Sequence, residues 1–250
     1  QDLAISPDGK TAVWAKTSAP NGHRILPDGT HLVADKGAVL HLDANGQKLR
    51  DASSESGGKP LRSPNDISVD PKGGFYFTDP GGSGVEKPIG TVHYVDPQGK
   101  THTIAEGLAF PNGIVLRPDG KTLLVGESGH NRILAFDVTA PGKIGNRRVF
   151  ATLPTKQGEQ IENAPDGIAL DEAGNLWVAH YGMRTVQVLS PEGKLLRSYP
   201  GGNLTTSNVA FAGPNLDQLY ITGALADEKT SKGALWRLDL KGVRGLKLLR

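Results

Sequence analysis

Five short phrases of the chain place an Asn or Asp directly before an alternating apolar segment. Pro precedes that residue in four of the phrases, and Ser precedes it in the fifth. Asn and Asp supply hard oxygen ligands, which suit Ca²⁺ or Mg²⁺ and offer a thiophilic metal nothing. If the phrases meet in space, they form one oxygen-rich site. The candidate residues are Asn21, Asn65, Asn112, Asp166 and Asn208.

The spacing of these phrases indicates a repeat. Successive candidates are 44, 47, 54 and 42 residues apart, which is in the range of propeller blades. Each repeat continues with a turn such as Pro27–Thr30 or Pro118–Lys121, in which Gly supplies a positive φ, then a second and a third alternating strand. A second hairpin turn leads into a short fourth strand. The apolar period of two favours strands and excludes helices.

The sequence therefore predicts an all-β fold, a six-bladed β-propeller with four antiparallel strands per blade. We expect a single domain over residues 1–250, with a partial first blade at 1–18 and full blades at 19–60, 61–106, 107–160, 161–202 and 203–250. The inner strands of the first blade have no counterpart in the chain. A ring of six then needs roughly 40 further residues before Gln1, by the repeat length.

The position of the phrases in such a fold gives them their significance. The first strand of each propeller blade lines the axis, and the loops that lead into these strands enter at one common face. The five candidates therefore converge on one channel, which predicts a metal site. The alternative at each position is an Asx-turn, in which the side chain only satisfies nearby backbone groups.

Three segments of the chain resemble a known family. Residues 63–80 (SPNDISVDPKGGFYFTDP), 111–128 (PNGIVLRPDGKTLLVGES) and 165–182 (PDGIALDEAGNLWVAHYG) are similar to consecutive blades of SMP-30/gluconolactonase/luciferin-regenerating-enzyme proteins. The resemblance covers nearly the whole chain. It implies a six-bladed propeller, hydrolysis of sugar and related lactones, and one divalent ion, most commonly calcium, at the centre of the channel.

The resemblance also implies a set of metal ligands. By motif, three of them fall on Asn65, Asn112 and Asp166, whereas the Glu that family members carry near the start of the chain has no equivalent here. Some members place a substrate-holding Arg two residues before the Asn of the third blade. This chain has Ser63 there, with Arg62 one step earlier, so the resemblance does not settle the substrate.

Lactone hydrolysis requires a polarised carbonyl, an activated water and a stabilised oxyanion, and a divalent ion can supply the first and third. Asp166 is the carboxylate among the five candidates and is predicted to be the general base. A purely metal-ligating Asp166, with a metal-bound water as the nucleophile, is the alternative.

Four further residues are predicted to bind the substrate. Asn21 and Asn208 belong to the phrases, and His23 lies two residues along the strand from Asn21, on the same side of the pleat. His180 ends the second strand of its blade, at the position held elsewhere by Asp35, Asp79 and Glu127. The other histidines are interpreted as solvated; they are His31, His41, His93, His102 and His130.

Composition excludes several classes of function. The chain has 37% hydrophobic residues and a formal net charge of +2 without a basic face, so nucleic acid is not an expected partner. It has no cysteine, which excludes disulfides, zinc–thiolate sites and a Cys nucleophile. No apolar run approaches the roughly 20 residues that span a bilayer, so no membrane partner is expected. Ser128 lacks the G-x-S-x-G pattern of a nucleophile elbow.

Several alternatives remain open from the sequence. The same blades would serve a non-enzymatic binding module with a structural calcium ion, since fold does not fix function. A strictosidine-synthase-like or paraoxonase-like relative would act on bulkier substrates. Zn²⁺, Mn²⁺ and Mg²⁺ compete with Ca²⁺ as the ion. We expect a monomer; the compartment stays open, because a signal peptide removed before Gln1 would imply a periplasmic or secreted protein.

Overall fold

The computed structural model describes residues 1–6, 8–155, 163–203, 205–225 and 233–247. Their packing divides the chain into two compact units. Among the described residues, the first consists of Gln1–Phe110 and Thr139–Ile144, and the second of Pro111–Val138 and residues 145–247. The single domain predicted over residues 1–250 stays a prediction.

The first unit contains two four-stranded antiparallel sheets and two small hairpins. A two-stranded sheet of β1 (Asp2–Ile5) and β2 (Thr11–Ala15) comes first. Blade A follows, formed by β3 (His23–Ile25), β4 (His31–Asp35), β5 (Ala38–Leu42) and β6 (Lys48–Ser53). A short hairpin of β7 (Glu55–Ser56) and β8 (Lys59–Pro60) leads to blade B, formed by β9 (Ile67–Val69), β10 (Phe75–Asp79), β11 (Gly90–Val95) and β12 (Thr101–Leu108).

The second unit contains most of a third four-stranded sheet, whose residues 139–144 belong to the first unit, a fourth four-stranded sheet, and a sheet with three strands in the described residues. Blade C is formed by β13 (Pro111–Leu116), β14 (Thr122–Glu127), β15 (Arg132–Ala140) and β16 (Lys143–Thr152), with a 3₁₀ turn at Ser128–His130. Blade D is formed by β17 (Ala164–Leu170), β18 (Leu176–Tyr181), β19 (Thr185–Leu189) and β20 (Leu195–Pro200). Blade E shows β21 (Asn208–Ala212), β22 (Gln218–Ala224) and β23 (Gly233–Asp239).

The strands agree closely with the sequence pattern. The all-β prediction is confirmed: every paired strand is antiparallel, and the one helical element in the described residues is the 3₁₀ turn. The predicted turn glycines have positive φ, for example 81° at Gly29 and 66° at Gly120. The range 1–18 contains the β1–β2 hairpin, and its assignment to a partial first blade stays a prediction. The predicted ranges 1–18, 107–160, 161–202 and 203–250 each lie partly outside the described residues.

Neighbouring blades within each unit share apolar cores. In the first unit, Ala34 and Val39 of blade A pack with Ile67 and Phe77 of blade B. In the second unit, one cluster joins blades C and D, and another joins Trp177 of blade D to blade E. Full burial of each large side chain contributes about 1.5–3 kcal/mol. This packing fixes the order of the inner strands that carry the phrases. No helix in the described part of the chain is long and apolar enough to cross a membrane.

Candidate functional site

The phrase in blade A forms a β-bulge at its Asn. The N–H of Asn21 donates to the Ala34 carbonyl at 2.9 Å, and the N–H of Ala34 donates to the Gly22 carbonyl at 2.8 Å. Two residues of the inner strand therefore oppose one residue of β4, which is the definition of a bulge. A bulge bends the strand and redirects the side chain at that point, and Asn21 is exposed.

Blade B repeats this arrangement. The N–H of Asn65 donates to the Thr78 carbonyl at 2.8 Å, and the N–H of Thr78 donates to the Asp66 carbonyl at 3.1 Å. Asn65 thus occupies the place of Asn21, but here it is buried, with 8% of its surface exposed. The bulge is a property of the repeated phrase and not of one blade.

Blades C and D contain the same irregularity. Over Pro111–Ile114, three steps along β13 match two steps along β14, and Pro165–Ile168 has the same excess over β18. The extra residue in each pair falls within the phrase, next to Asn112 and Asp166. Bulges are over-represented beside active sites, where they aim a side chain.

The strand pairing of blade E shifts the predicted alignment of the fifth phrase with the other phrases by one residue. The N–H of Ser207 donates to the Thr222 carbonyl at 2.8 Å, as Asn65 does to Thr78 in blade B. The Ser207 carbonyl accepts the N–H of Gly167 at 3.0 Å, as the Asn65 carbonyl accepts that of Gly22. Ser207 is therefore the counterpart of Asn65, and Asn208 lies one position further along. The substrate-binding role of Asn208 stays a prediction.

The Gly that follows the Asn or Asp in three phrases has a packing function. A Cβ at Gly113 would lie 2.3 Å from the Asp166 carbonyl, and one at Gly167 would lie 1.9 Å from Asn208 Oδ1. In the first unit, a Cβ at Gly22 would lie 2.6 Å from the Asn65 carbonyl. Real Cβ atoms do not approach so closely. These positions exclude a side chain because adjacent inner strands touch there.

Ser128 connects the Asn phrase of blade C to the Asp phrase of blade D. The Ser128 Oγ–H donates to the Pro165 carbonyl at 2.6 Å. The same Oγ accepts a hydrogen bond from Asn112 Nδ2 at 3.4 Å. Asn112 is 6% exposed and Asp166 is half-buried. Sequence reasoning considered Ser128 only as a nucleophile. The structure places it as a link between two predicted site residues.

A buried ion pair next to Asn65 was also missed. Asp66 is 2% exposed, and its Oδ1 accepts the N–H of Ile67 at 2.8 Å and lies 3.3 Å from Arg24 Nη2. The available signal was the presence of Asp at a position that Gly occupies in three other phrases. The pair adds a cation and a carboxylate to the first unit beside a predicted ligand.

Two carboxylates at the ends of second strands hold the segments that lead into the phrases. Asp35 accepts the backbone N–H groups of residues 18 and 19 at 2.9 and 2.5 Å. Asp79 accepts those of residues 62 and 63 at 2.9 and 2.8 Å. In both blades the donors lie three and two positions before the Asn of the bulge. Charge-assisted hydrogen bonds of this kind are stronger than neutral ones, so they fix the entry of the inner strand.

His180 is part of a buried polar network in the second unit. Its side chain is 0% exposed, its Nε2 lies 2.9 Å from Asn131 Oδ1, and its Nδ1 lies 3.3 Å from Gln187 Nε2. Burial lowers the pKa of His180 to about 4, so the ring is neutral at pH 7. These contacts support a structural role. The predicted contact with substrate stays a prediction.

Two histidines of the first unit, His23 and His93, pack against aromatic rings. His23 Nε2 lies 2.7 Å from His31 Nδ1, the His23 ring stacks on Trp14 at 5.3 Å, and burial lowers its pKa to about 4. Its role as a substrate ligand stays a prediction. His93 was predicted to be solvated, and this is wrong: it is 4% exposed and stacks on Phe77 at 4.8 Å, because β11 lies inside blade B.

Comparison with known proteins identifies the family. Residues 3–225 match the model of the SMP-30/Gluconolactonase/LRE-like region. The chain belongs to this family. It is 34% identical to a lactonase drp35 of Staphylococcus saprophyticus over 82% of the chain and 62% of that protein. It is 27% identical to the diisopropyl-fluorophosphatase of Loligo vulgaris over 74% of the chain and 64% of that protein. The chain therefore matches somewhat less than two thirds of the length of these curated relatives.

A solved structure of a relative supports the fold. A gluconolactonase from Xanthomonas campestris superposes with a TM-score of 0.78 at 28% identity, covering 96% of this chain and 78% of that one. Membership of the family and the antiparallel four-stranded sheets together support the propeller fold that the sequence predicts.

The family implies a divalent ion, and the residues of the phrases fit one. Asn112 and Asp166 of the second unit offer amide and carboxylate oxygens, which are the donors that hard cations prefer. Among the described residues, no group of three or more His, Cys, Asp or Glu side chains gathers to hold a metal. Asn side chains are not counted in such a group. A site of Asn amide oxygens and one Asp carboxylate suits a hard cation that is held by few charged ligands.

Proposed function

We propose that this protein is a hydrolase of small, sugar-type lactones such as glucono-δ-lactone, with its reaction centre at the Asn and Asp of the repeated phrases. The names of two relatives, a lactonase and a gluconolactonase, support the reaction class. The observation that carries the proposal is the Ser128 bridge. It ties the Asn112 side chain to the backbone carbonyl that precedes Asp166, so the two phrases of one unit are joined directly beside these residues.

Asp166 is the proposed general base. It takes a proton from the water whose oxygen attacks the lactone carbonyl, and the ring C–O bond then breaks as the leaving oxygen takes up a proton, which opens the lactone to a hydroxy acid. General bases of this kind contribute about 10²–10⁴-fold to the rate. The bulge holds Asp166 at the start of β17, and Gly113 leaves room for its backbone.

Asn112 and Asp166 are the residues of the second unit proposed to hold a divalent ion. The proposed ion is Ca²⁺, because the donors are amide and carboxylate oxygens. The same role is proposed for Asn65, whose bulge matches theirs. When bound, the ion supplies Lewis-acid polarisation of the carbonyl and stabilises negative charge on its oxygen. Asn21, His23, His180 and Asn208 are the proposed substrate contacts. We also propose six blade units, with the β1–β2 hairpin belonging to the first.

The test is a titration of the metal-stripped protein with Ca²⁺, Mn²⁺, Zn²⁺ and Mg²⁺ while acid release from glucono-δ-lactone is followed. We expect turnover that depends on the metal and falls at least about 100-fold in Asp166→Asn. Asp119→Asn, an exposed turn carboxylate in the same unit, is the matched control and should retain the wild-type rate.

Three other outcomes would redirect the proposal. Metal binding without turnover of any lactone would favour a binding module with a structural ion. Hydrolysis of diisopropyl fluorophosphate without hydrolysis of lactones would instead follow the activity named for the Loligo vulgaris relative. Full activity in Asp166→Asn would remove Asp166 from the role of base.

A further inference from the structure

The first unit contains a cavity of about 430 Å³ on the side of blade B. Its walls come from the β7–β8 hairpin, the segment leading to β9, the loop between β10 and β11, and strands β11 and β12. This volume lies in the range of small-molecule sites, about 300–1,000 Å³. None of these residues belongs to the repeated phrases or is a proposed contact in lactone hydrolysis; Asp79 also holds the segment that leads to Asn65.

One wall of the cavity is a continuous chain of hydrogen-bonded polar side chains. Ser56 Oγ lies 2.8 Å from Thr103 Oγ1, which lies 3.2 Å from His93 Nδ1. On the other side of the ring, His93 Nε2 lies 2.8 Å from Thr91 Oγ1. Ser56 and His93 are buried, and Phe77 stacks under the imidazole at 4.8 Å. The wall is therefore rigid, and it presents hydroxyl groups that can exchange donor and acceptor roles.

Burial lowers the pKa of His93 to about 4, so its ring is neutral at pH 7. A neutral imidazole donates through one nitrogen and accepts through the other. One of the two threonine hydroxyls beside it must therefore donate to the ring, and the other must accept from it. The hydroxyl at the Ser56 end of the chain can then turn towards a bound group.

Arg62 supplies a fixed positive charge to the same cavity. Its Nη2 donates to the Ile89 carbonyl at 2.6 Å, and lies 3.4 Å from both the Asp79 carbonyl and Thr91 Oγ1. All the side-chain hydrogen bonds that Arg62 makes to described residues run through Nη2, so Nη1 keeps its donors. A Cβ at Gly81 would lie 2.1 Å from Arg62 Cβ, which shows how closely the loop holds this side chain.

The remaining charges of the lining favour a ligand with both an anionic and a hydroxylated end. Lys59 is exposed on β8 and adds a second cation at the cavity. The Asp79 carboxylate accepts two backbone N–H groups, at 2.9 and 2.8 Å, and its Oδ2 lies 4.0 Å from Arg62 Nε, so Asp79 faces the Nε edge of the guanidinium and not Nη1. Glu106 also lines the cavity, and a carboxylate there is an acceptor for ligand hydroxyls. Guanidinium groups match carboxylates in geometry and charge.

We propose that this cavity is a second binding site, for a small hydroxylated carboxylate whose carboxylate lies on Arg62 and Lys59 and whose hydroxyls face Ser56 and Glu106. The apolar lining from Pro60, Leu61 and Ile89 accommodates the carbon chain. The site goes beyond the proposed lactone hydrolysis and does not depend on it, because none of its residues belongs to the bulges of the phrases.

The test is isothermal titration calorimetry of the metal-stripped full chain with D-gluconate and with sorbitol, its neutral counterpart. We expect gluconate to bind and sorbitol to bind at least about tenfold more weakly, because it lacks the charge-assisted contact. Arg62→Met and Lys59→Met should each weaken gluconate binding by about tenfold, because each removes one charge-assisted contact. Arg50→Met, the same change at an exposed position of the first unit, should leave binding unchanged.

Asp166→Asn distinguishes this site from the proposed reaction centre. Gluconate should bind that variant as it binds the wild type, whether or not the wild type hydrolyses lactones. Three results would each overturn the proposal: no gluconate binding by the wild type, wild-type binding by both Arg62→Met and Lys59→Met, or loss of binding in Asp166→Asn. Because Lys59 is exposed, its variant remains informative even if Arg62→Met does not fold.

Discussion

The carboxylate of Asp79 accepts the backbone N–H of Ser63 at 2.8 Å, two residues before the bulge at Asn65. Asp79 is 2% exposed and also accepts the N–H of Arg62 at 2.9 Å. The end of β10 therefore holds the segment that carries a predicted metal ligand. Asp35 does the same in blade A, so the relationship belongs to the repeat and not to one loop.

Removal of this carboxylate should unfold the segment it holds. We expect Asp79→Ala to lower the free energy of unfolding by about 2–4 kcal/mol, because two buried N–H groups lose a charged acceptor. Urea denaturation measures the change. Asp79→Asn keeps one oxygen acceptor and should lose less, and Asp51→Ala, an exposed change in the same unit, should lose almost nothing. Equal stability of all three variants would show that the anchor is dispensable.

The Ser128 bridge should matter more for activity than for stability. In Ser128→Ala the Pro165 carbonyl and the Asn112 amide lose their shared partner, which costs about 1 kcal/mol of stability. Because Asn112 and the segment before Asp166 are then free to shift, we expect kcat/KM for the lactone to fall by about tenfold or more. Steady-state kinetics and urea denaturation separate the two effects. Ser54→Ala, at an exposed serine, is the control, and an unchanged kcat/KM in Ser128→Ala would remove the bridge from the site.

The close approach at Gly113 can be tested by adding one methyl group. Gly113→Ala would place a Cβ 2.3 Å from the Asp166 carbonyl, and overpacking of this kind costs about 1–3 kcal/mol. We expect a lower melting temperature and a loss of activity, because the backbone of Asp166 must move. Gly145 has open space around its Cβ position, so Gly145→Ala is the matched control. If both variants have the same melting temperature, the inner strands are not in tight contact.

The pH dependence of stability should show the buried state of His180. Its pKa falls from 6.5 to about 4 through burial, so the folded protein binds this proton less readily than the unfolded chain. The associated stability is fully present above about pH 6.5 and is lost as the pH falls towards 4, by about 2–3 kcal/mol. Protonation would also set a ring N–H against the Gln187 amide, which now donates to it.

Urea denaturation at pH 7.0 and pH 4.5 measures this loss. Other acidic groups titrate in the same window, so the comparison is with His180→Gln, which cannot bind the proton and should lose less stability between the two pH values. His130→Gln changes an exposed histidine and should behave as the wild type. The same loss in all three proteins would mean that His180 does not titrate in this way.

Much of the local structure could be predicted from short stretches of the sequence. The apolar segment at 122–127, directly after the Pro118–Lys121 turn, predicts β14, which spans Thr122–Glu127, and the turn glycines adopt the positive φ that their turns require. These features depend on the pleat and on steric limits of the backbone within a few residues. The repeat period in turn predicted one inner strand per phrase.

The bulges and the alignment of blade E needed the tertiary structure. The sequence placed Asn208 with the other candidates because Ser207 and Asn208 resemble Pro and Asn of the phrase. The strand pairing places Ser207 there instead, because hydrogen bonds with Thr222 and Gly167 set the register. Nothing in a five-residue phrase shows which of two neighbouring polar residues faces the next strand.

The sequence by itself determined the family, the all-β class, the positions of the strands and the residues whose oxygens are candidates for a divalent ion. Only the tertiary structure decided which residues that are distant in the sequence are in contact. Arg24 and Asp66 are 42 residues apart, and Asn131 and His180 are 49 apart, yet each pair is within hydrogen-bond distance. The burial of His93 and the cavity beside it arise in the same way. Such contacts depend on how whole strands pack. The sequence around one residue does not indicate which distant residue will pack against it.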